Sequence, residues 1–495
     1  MLDFLFFPGY IFRSVLIPDC CLAEKPSPFY RSGIKNTGLV FWEEGNGEHC
    51  MKKFEFGLSR KNINPPMKMG LAGYFNTRIH TGVLDDLEVR IAAFRCEGKI
   101  SFLIQYDLIV CPPELFQIIR NKLNDSGFGG SVLLVTATHC HTAPEVRRGR
   151  GGFCADYLDF AADKTMEAVD EAVQNLSECV SSQQGCSSNA ECCFNRRFWM
   201  KDGTVRTNPG KLNPDIVRPE GEIDPEIPLL MLKNKAGESL LLASICNHAD
   251  TTGGTLVSGD WPGWTRRLVE AEMKSCDMMM PLIGCSGDIN HFDVTIPGDQ
   301  TSPEEAERIG RSYADAVKRG MLSLKECEAS FSGKCTSFQI PSREIFPEEL
   351  AEAQEILEKY KDIVFTQDTV KSLTAEDFAR KSPVVLKYFA EALMERYNNP
   401  AQYTFEMTMF DFGSVAIIGV PCEPFTATGL TLRKQLFFGK TVLVAILNNG
   451  SGTGYFPNLW NYGRGGYETT PRSNQFSVHA AEKVLETAAF MSKDL

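Results

Sequence analysis

The chain contains no run approaching the roughly 18 apolar residues that a membrane-crossing helix needs, and no Cys-x-x-Cys pair. The first absence excludes a simple transmembrane anchor, and the second removes the commonest thiolate metal and redox motifs. An excess of positive charge is also missing. Lys and Arg number 51 against 63 Asp and Glu, for a net charge of −12. Nucleic-acid binding relies on cationic side chains opposite phosphates, so that balance excludes a nucleic-acid partner, and it weakens attraction to anionic membrane surfaces. No glycine-rich phosphate loop of the P-loop kind, no internal repeat and no low-complexity segment occurs. Histidine is scarce, with only seven in 495 residues. Any place where histidines gather therefore carries information.

What is present is the composition of a globular protein, 43% hydrophobic and 23% charged, long enough for a large core. The 17 cysteines are odd in number and mostly scattered through apolar stretches, with doublets at Cys20-Cys21 and Cys192-Cys193. They read as reduced, buried thiols of a cytoplasmic protein rather than as a disulfide framework. The opening MLDFLFFPGYIFRSVLIPDCC is apolar but has no basic leader and carries Asp3, Pro8 and Arg13, which is not a signal-peptide pattern. Residues 1–50 show no clear period, and ordered patterning starts after Met51. We expect residues 1–50 to be an extension and residues 51–495 to form the catalytic fold.

Five short runs rich in Val, Ile and Leu each stop at polar, Gly or Pro residues. SVLLVTAT ends in His139-Cys140-His141-Thr142, SLLLASIC in Asn247-His248-Ala249-Asp250, and MMMPLIG in Cys285-Ser286-Gly287-Asp288. FGSVAIIGV ends in Pro421-Cys422-Glu423-Pro424, and KTVLVAIL in Asn448-Asn449-Gly450, with Tyr455 shortly after. Continuous apolar runs of this length suit strands covered on both faces. CADYLDFAADKTMEAVDEAVQNL and WTRRLVEAEMKS read as amphipathic helices. Helix starts at Pro303, Pro347 and the Thr374-x-x-Asp377 box mark a helical insertion over about 302–397. The expected fold class is α/β: a mixed β-sheet core flanked by helices, with a metal site at the C-terminal ends of strands.

Those ends offer His, His, Glu and Tyr. In a strand, residues i and i+2 share a face, so His139 and His141 can look into one cavity while Cys140 faces away. Catalytic zinc takes three protein ligands of the imidazole or carboxylate kind and keeps one position open. His139 or His141, with His248 and Glu423, supplies such a set. His49, His80, His291 and His479 read as ordinary hydrogen-bonded histidines. Gly284-Cys285-Ser286-Gly287-Asp288 lacks the last glycine of a nucleophile elbow and no helix pattern follows, so Ser286 reads as a turn residue.

The motifs also resemble, in chain order across most of residues 54–475, the neutral/alkaline non-lysosomal ceramidase family. Phe56-Gly57 through Asn64-Pro65-Pro66 and Ala72-Gly73-Tyr74 are similar to its opening segment, followed by Asp85-Asp86-Leu87, Arg90 and Asp107. Ala137-Thr138-His139-Cys140-His141-Thr142-Ala143-Pro144 resembles the family's Ala-Thr-His-x-His-Ser-Gly-Pro. Asn195-Arg196-Arg197, Asn247-His248-Ala249, Ser258-Gly259-Asp260, Gly287-Asp288, Pro421-x-Glu423-Pro424-Phe425 and Gly454-Tyr455 with Tyr467-Glu468 complete the series. The resemblance implies one zinc ion per chain, bound by His139, His248, Glu423 and Tyr455. It implies that His141 faces substrate or supports the ligands, and that Arg196 and Tyr467 hydrogen-bond the scissile amide or its oxyanion. Two departures stand out. The family's serine three residues before the glycine matching Gly287 is here Gly284, which leaves zinc-bound water as the expected nucleophile. The sequence also has no counterpart of the carboxy-terminal immunoglobulin-like domain. The implied activity is hydrolysis of the amide of an N-acyl, ceramide-like small-molecule or lipid substrate, which would place the chain in sphingolipid metabolism. A metal-dependent esterase or phosphoesterase, or a metal-binding homologue without turnover, are the alternatives.

Overall fold

The computed structural model describes residues 53–494 apart from 75, 365, 367–381, 438 and 472, so the expected extension at 1–50 and the Thr374-x-x-Asp377 box lie outside the described residues. The strands that build the core are β1 (Glu55–Asn62), β2 (Glu88–Cys96), β3 (Lys99–Tyr106), β4 (Leu133–Ala137), β5 (Ser177–Ser188), β6 (Glu226–Asn234), β7 (Ser239–Ile245), β8 (Met278–Ile283), β9 (Lys325–Cys327), β10 (Ser332–Pro341), β11 (Gln402–Asp411), β12 (Val415–Gly419) and β13 (Thr441–Ala445). Helices α1 (Pro113–Asp125), α2 (Ala155–Gln174), α3 (Asp260–Glu272), α4 (Pro303–Met321), α5 (Pro347–Lys359), α6 (Pro383–Asn398) and α7 (Ala480–Met491) lie between and after them.

The first sheet is nine-stranded, in the order β8-β7-β6-β5-β1-β2-β3-β4 with β9 also paired to β5. It is mixed. The β3–β4 and β7–β8 pairs are parallel and the other described pairs antiparallel. Each parallel pair needs a crossover, and α1 and α3 supply them. A second sheet runs β10-β11-β12-β13, with β12 and β13 parallel.

All five apolar runs form strands, three in the first sheet and two in the second. Their period of two explains why both faces are apolar. Leu230, Leu240, Leu242, Met280 and Leu103 form one core with Phe410, Phe412, Val415, Ile417 and Leu443 of the second sheet. The alternate residues Met231, Leu241, Met279, Ile104 and Val135 join a core with Ile119, Ala161, Trp261 and Val269 of the helices. One face of the large sheet is thus covered by helices and the other by a sheet, with α7 packed outside the second sheet through Ala481, Val484 and Ala488. The segment read as a helical insertion carries α4, α5 and α6. Between them it also sends out β10, whose ten residues pair fully with β11. Its apolar face, Phe338 and Ile340, continues into the polar Lys334 and Thr336, which is why the strand escapes a periodicity reading. α3 begins earlier than WTRRLVEAEMKS implies, at Asp260, whose buried carboxylate accepts from the N–H groups of Thr251, Thr252 and Trp261 and so ties the helix start to the loop after β7.

Candidate metal centre and its surroundings

The chain leaves β4 at Ala137, and His139 takes a left-handed backbone conformation, φ 58°. Such a residue costs on the order of 1–2 kcal/mol unless it is glycine. Cys422, immediately before Glu423, is left-handed too, at φ 55°. Strain of this kind collects where side chains must be aimed. It also corrects the reason for pairing His139 with His141. The two are not successive same-face residues of a strand; a turn after the strand brings their rings to 5.0 Å between centroids. Cys140 still points away, its thiol donating to the Ser258 carbonyl at 2.7 Å.

His139 donates from Nδ1 to the Ile109 carbonyl at 2.8 Å, and His248 donates from Nδ1 to the Ser286 carbonyl at 2.9 Å. A carbonyl can only accept, so both rings carry a proton on Nδ1 and turn Nε2 inward. Those two Nε2 atoms are 3.2 Å apart, and Nε2 of His141 is 3.4 Å from that of His139. Glu423 completes the group: its Oε2 is 3.3 Å from His139 Nε2 and 3.6 Å from His248 Nε2. That oxygen is buried and has no hydrogen-bond donor, while Oε1 accepts from the Gly454 N–H at 3.2 Å. Burial, with Arg196 and His139 beside it, pushes the His248 imidazole down to about 3. Burial and His139 likewise hold His141 well below its ordinary value. Burial alone would raise the Glu423 carboxyl, but His139, His248 and Arg196 hold it well below the usual carboxylate range. Three imidazole nitrogens and an ionised carboxylate converging on one point are the set a divalent cation satisfies. One ring nitrogen from each of His139, His141 and His248 lies within 4.8 Å of the others.

Tyr455 is brought beside Glu423 by a two-residue parallel ladder in which the two residues pair. Its hydroxyl lies 2.7 Å from that of Tyr467. The Arg196 guanidinium sits over both rings, 5.3 Å from the centroid of Tyr455 and 5.5 Å from that of Tyr467. Arg196 is held by Glu468 Oε1 at 3.0 Å and the Gly287 carbonyl at 2.7 Å. Glu468 is fully buried and also accepts from Arg197 at 2.8 Å and Thr207 at 2.6 Å. All seven residues singled out from the sequence therefore fall into two adjoining clusters, three histidines with Glu423 and Arg196 with the two tyrosines.

The support of these clusters was harder to foresee. Glu468 reads as one half of a Tyr-Glu pair, yet two consecutive arginines needing a buried counter-charge are the signal that could have found it. Asp288 accepts from Thr426 N–H and Oγ at 2.8 Å and from Asn195 at 2.9 Å, tying three site loops together. Asp250 accepts from His291 Nδ1 at 3.0 Å, while His291 Nε2 donates to the Gln300 carbonyl at 2.7 Å. His291 and His80, which bonds the Met67 carbonyl at 2.9 Å, behave as ordinary interior or partly covered histidines. His479 is exposed, and His49 lies outside the described residues. Gly284 packs against Cys246, with 3.4 Å from an ideal Cβ to the nearest atom, so a Cβ would meet ordinary van der Waals contact there. The Ser286 hydroxyl is buried without a partner, and the residue acts through its carbonyl.

No family model and no curated protein matches the chain. Solved structures do. The neutral ceramidase from Pseudomonas aeruginosa superposes with a TM-score of 0.65 at 15% identity, covering 90% of this chain and 75% of that one. A ceramidase complexed with C2 superposes with a TM-score of 0.66 at 14% identity, covering 89% of this chain and 75% of the other. At that identity the likeness speaks for architecture, and the architecture of this chain is that of the neutral ceramidases.

Proposed function

We propose that the protein is a zinc-dependent hydrolase that cleaves the amide bond of an N-acyl, ceramide-like substrate. The observation that carries the reading is the buried, donor-less Oε2 of Glu423, 3.3 and 3.6 Å from two Nε2 atoms whose rings are protonated on the far side. A bound divalent cation relieves such a cluster by taking the ring nitrogens and the carboxylate oxygen together. His139, His248 and Glu423 would hold zinc, with Tyr455 alongside Glu423 as the fourth ligand. Zinc bound there would supply Lewis-acid polarisation of a carbonyl and would acidify a water. The rest is the work of this chain's side chains. Arg196, fixed by Glu468 and Gly287, and Tyr467 would donate to the amide oxygen as negative charge develops on it. His141, on the open side of the cluster, would exchange a proton with the reacting water or the departing amine.

The test is turnover of a panel of N-acyl amines and matched esters by the purified protein, with and without a chelator. The expected outcome is amide cleavage that chelation abolishes and zinc restores. Cleavage of esters or phosphoesters alone would overturn the amidase assignment. Stoichiometric zinc with no turnover across the panel would favour a binding protein, consistent with Gly284 at the family's serine position.

A further inference from the structure

Among the described residues, the His141 ring has no carbonyl to fix it of the kind His139 and His248 use. Its surroundings are built from a different part of the chain. Residues 70–72 run beside 143–145: Ala72 N–H donates to the Ala143 carbonyl at 2.9 Å and Glu145 N–H to the Gly70 carbonyl at 2.7 Å. At the next residue, Gly73, φ is +90°, and an ideal Cβ there would lie 2.4 to 2.5 Å from the Cγ, Cβ and Nδ1 atoms of His141. The imidazole therefore rests directly on the Gly73 backbone. Tyr74 meets it edge to face, with ring centroids 6.5 Å apart.

One side chain joins all of these pieces. Arg78 donates from Nη2 to the His141 carbonyl at 2.7 Å and to the Ala72 carbonyl at 2.6 Å, and from Nη1 to the Gly254 carbonyl at 2.7 Å. Its guanidinium carbon lies 3.8 Å from the centroid of the Tyr74 ring. A planar fork with several donors and a stacking face can make these contacts at once, and a lysine ammonium cannot. Arg78 touches neither His139 nor Glu423.

We propose that Arg78 is a positioning residue for His141: by clamping the Ala72, His141 and Gly254 carbonyls and backing Tyr74, it sets the imidazole at the open side of the metal centre. This rests on the reading of His141 as the group that faces substrate.

The experiment compares Arg78→Lys, His141→Ala and the double variant in the zinc-loaded, full-length protein. Arg78→Lys is expected to keep its zinc and its melting temperature, to lose tenfold or more in kcat, and to shift KM by less than about threefold. In the His141→Ala background the same substitution is expected to change kcat by less than about twofold, because its effect runs through the missing ring. Losses that multiply, or zinc lost in Arg78→Lys, would overturn the proposal. A second readout needs no turnover: side-chain ¹⁵N spectra of the histidines in zinc-loaded protein. Arg78→Lys is expected to shift or broaden the His141 signals and to leave those of His139 and His248 in place. An unmoved His141 signal sinks the positioning role even in an active enzyme. An inactive panel with a moved signal sinks the hydrolase reading instead.

Discussion

His139 and His141 stand two residues apart and are the same chemical group, yet one hydrogen bond separates them. His139, like His248, gives its Nδ1 proton to a backbone carbonyl, which fixes Nε2 as the inward atom. His141 is aimed by packing on Gly73 and Tyr74. Replacing His139 or His248 by Ala should therefore lower zinc affinity by at least about 100-fold, since a ligand matters more than the outer partners that orient it. His141→Ala should keep the metal and lose rate. Metal analysis of the three dialysed variants checks this, and zinc lost from His141→Ala but kept by His139→Ala would reverse the assignment. Ser286 is the opposite case. Its hydroxyl is buried without a partner while its carbonyl holds His248. Ser286→Ala keeps the carbonyl and removes an unsatisfied polar atom, so stability should hold or rise slightly. The rate should change by less than tenfold, under about 1.4 kcal/mol of barrier. A loss of several orders of magnitude with zinc retained, or a trapped acyl-serine, would make Ser286 the nucleophile.

At the scale of elements, the site depends on how closely the strand-end loops approach one another. The loop after β8 lies against the segment carrying Glu423: Gly287 N–H donates to the Pro424 carbonyl at 3.0 Å. An ideal Cβ on Gly287 would sit 2.4 Å from the Glu423 carbonyl oxygen and 3.0 Å from Phe425. Gly287→Ala should push these loops apart at a cost of about 1–3 kcal/mol, the usual penalty of overpacking. It should also weaken zinc binding, because Gly287 and Glu423 move together. Denaturant unfolding with a metal titration measures both, and a variant with unchanged stability and affinity would show that the loops do not constrain each other. Gly284 gives the contrast. A side chain there meets Cys246 only at ordinary contact distance, so Gly284→Ser is expected to fold normally.

At the scale of the whole molecule, the unit Met51–Leu495 holds every site residue and, in its described part, both sheets and the helices that cover them. Its first described residues are already committed to the core. Phe54 is 2% exposed and packs 5.7 Å from Phe331 and 5.8 Å from Phe412, measured between ring centroids. A chain starting at Met51 should therefore be soluble, bind zinc and keep whatever activity the full chain has. Aggregation or loss of zinc on removing residues 1–50 would show that they belong to the fold. Read alone, the sequence determined five of the core strands and what lies at their ends. An unbroken apolar run has few ways to be buried, and a polar break marks where it stops, so His139, His141, His248, Glu423 and Tyr455 were legible as strand-end groups from local pattern, while only the family resemblance preferred His139 to His141 as a ligand. It did not separate the two sheets, because an apolar face reads the same whether a helix or a sheet covers it. It did not reveal β10, whose face is partly polar. Nor could it disclose the Nδ1 bonds to Ile109 and Ser286, the left-handed turns at His139 and Cys422, or the reach of Arg78 to the His141 carbonyl 63 residues away. Those depend on backbone groups distant in sequence meeting at ångström range, and only the packed tertiary structure decides which of them do.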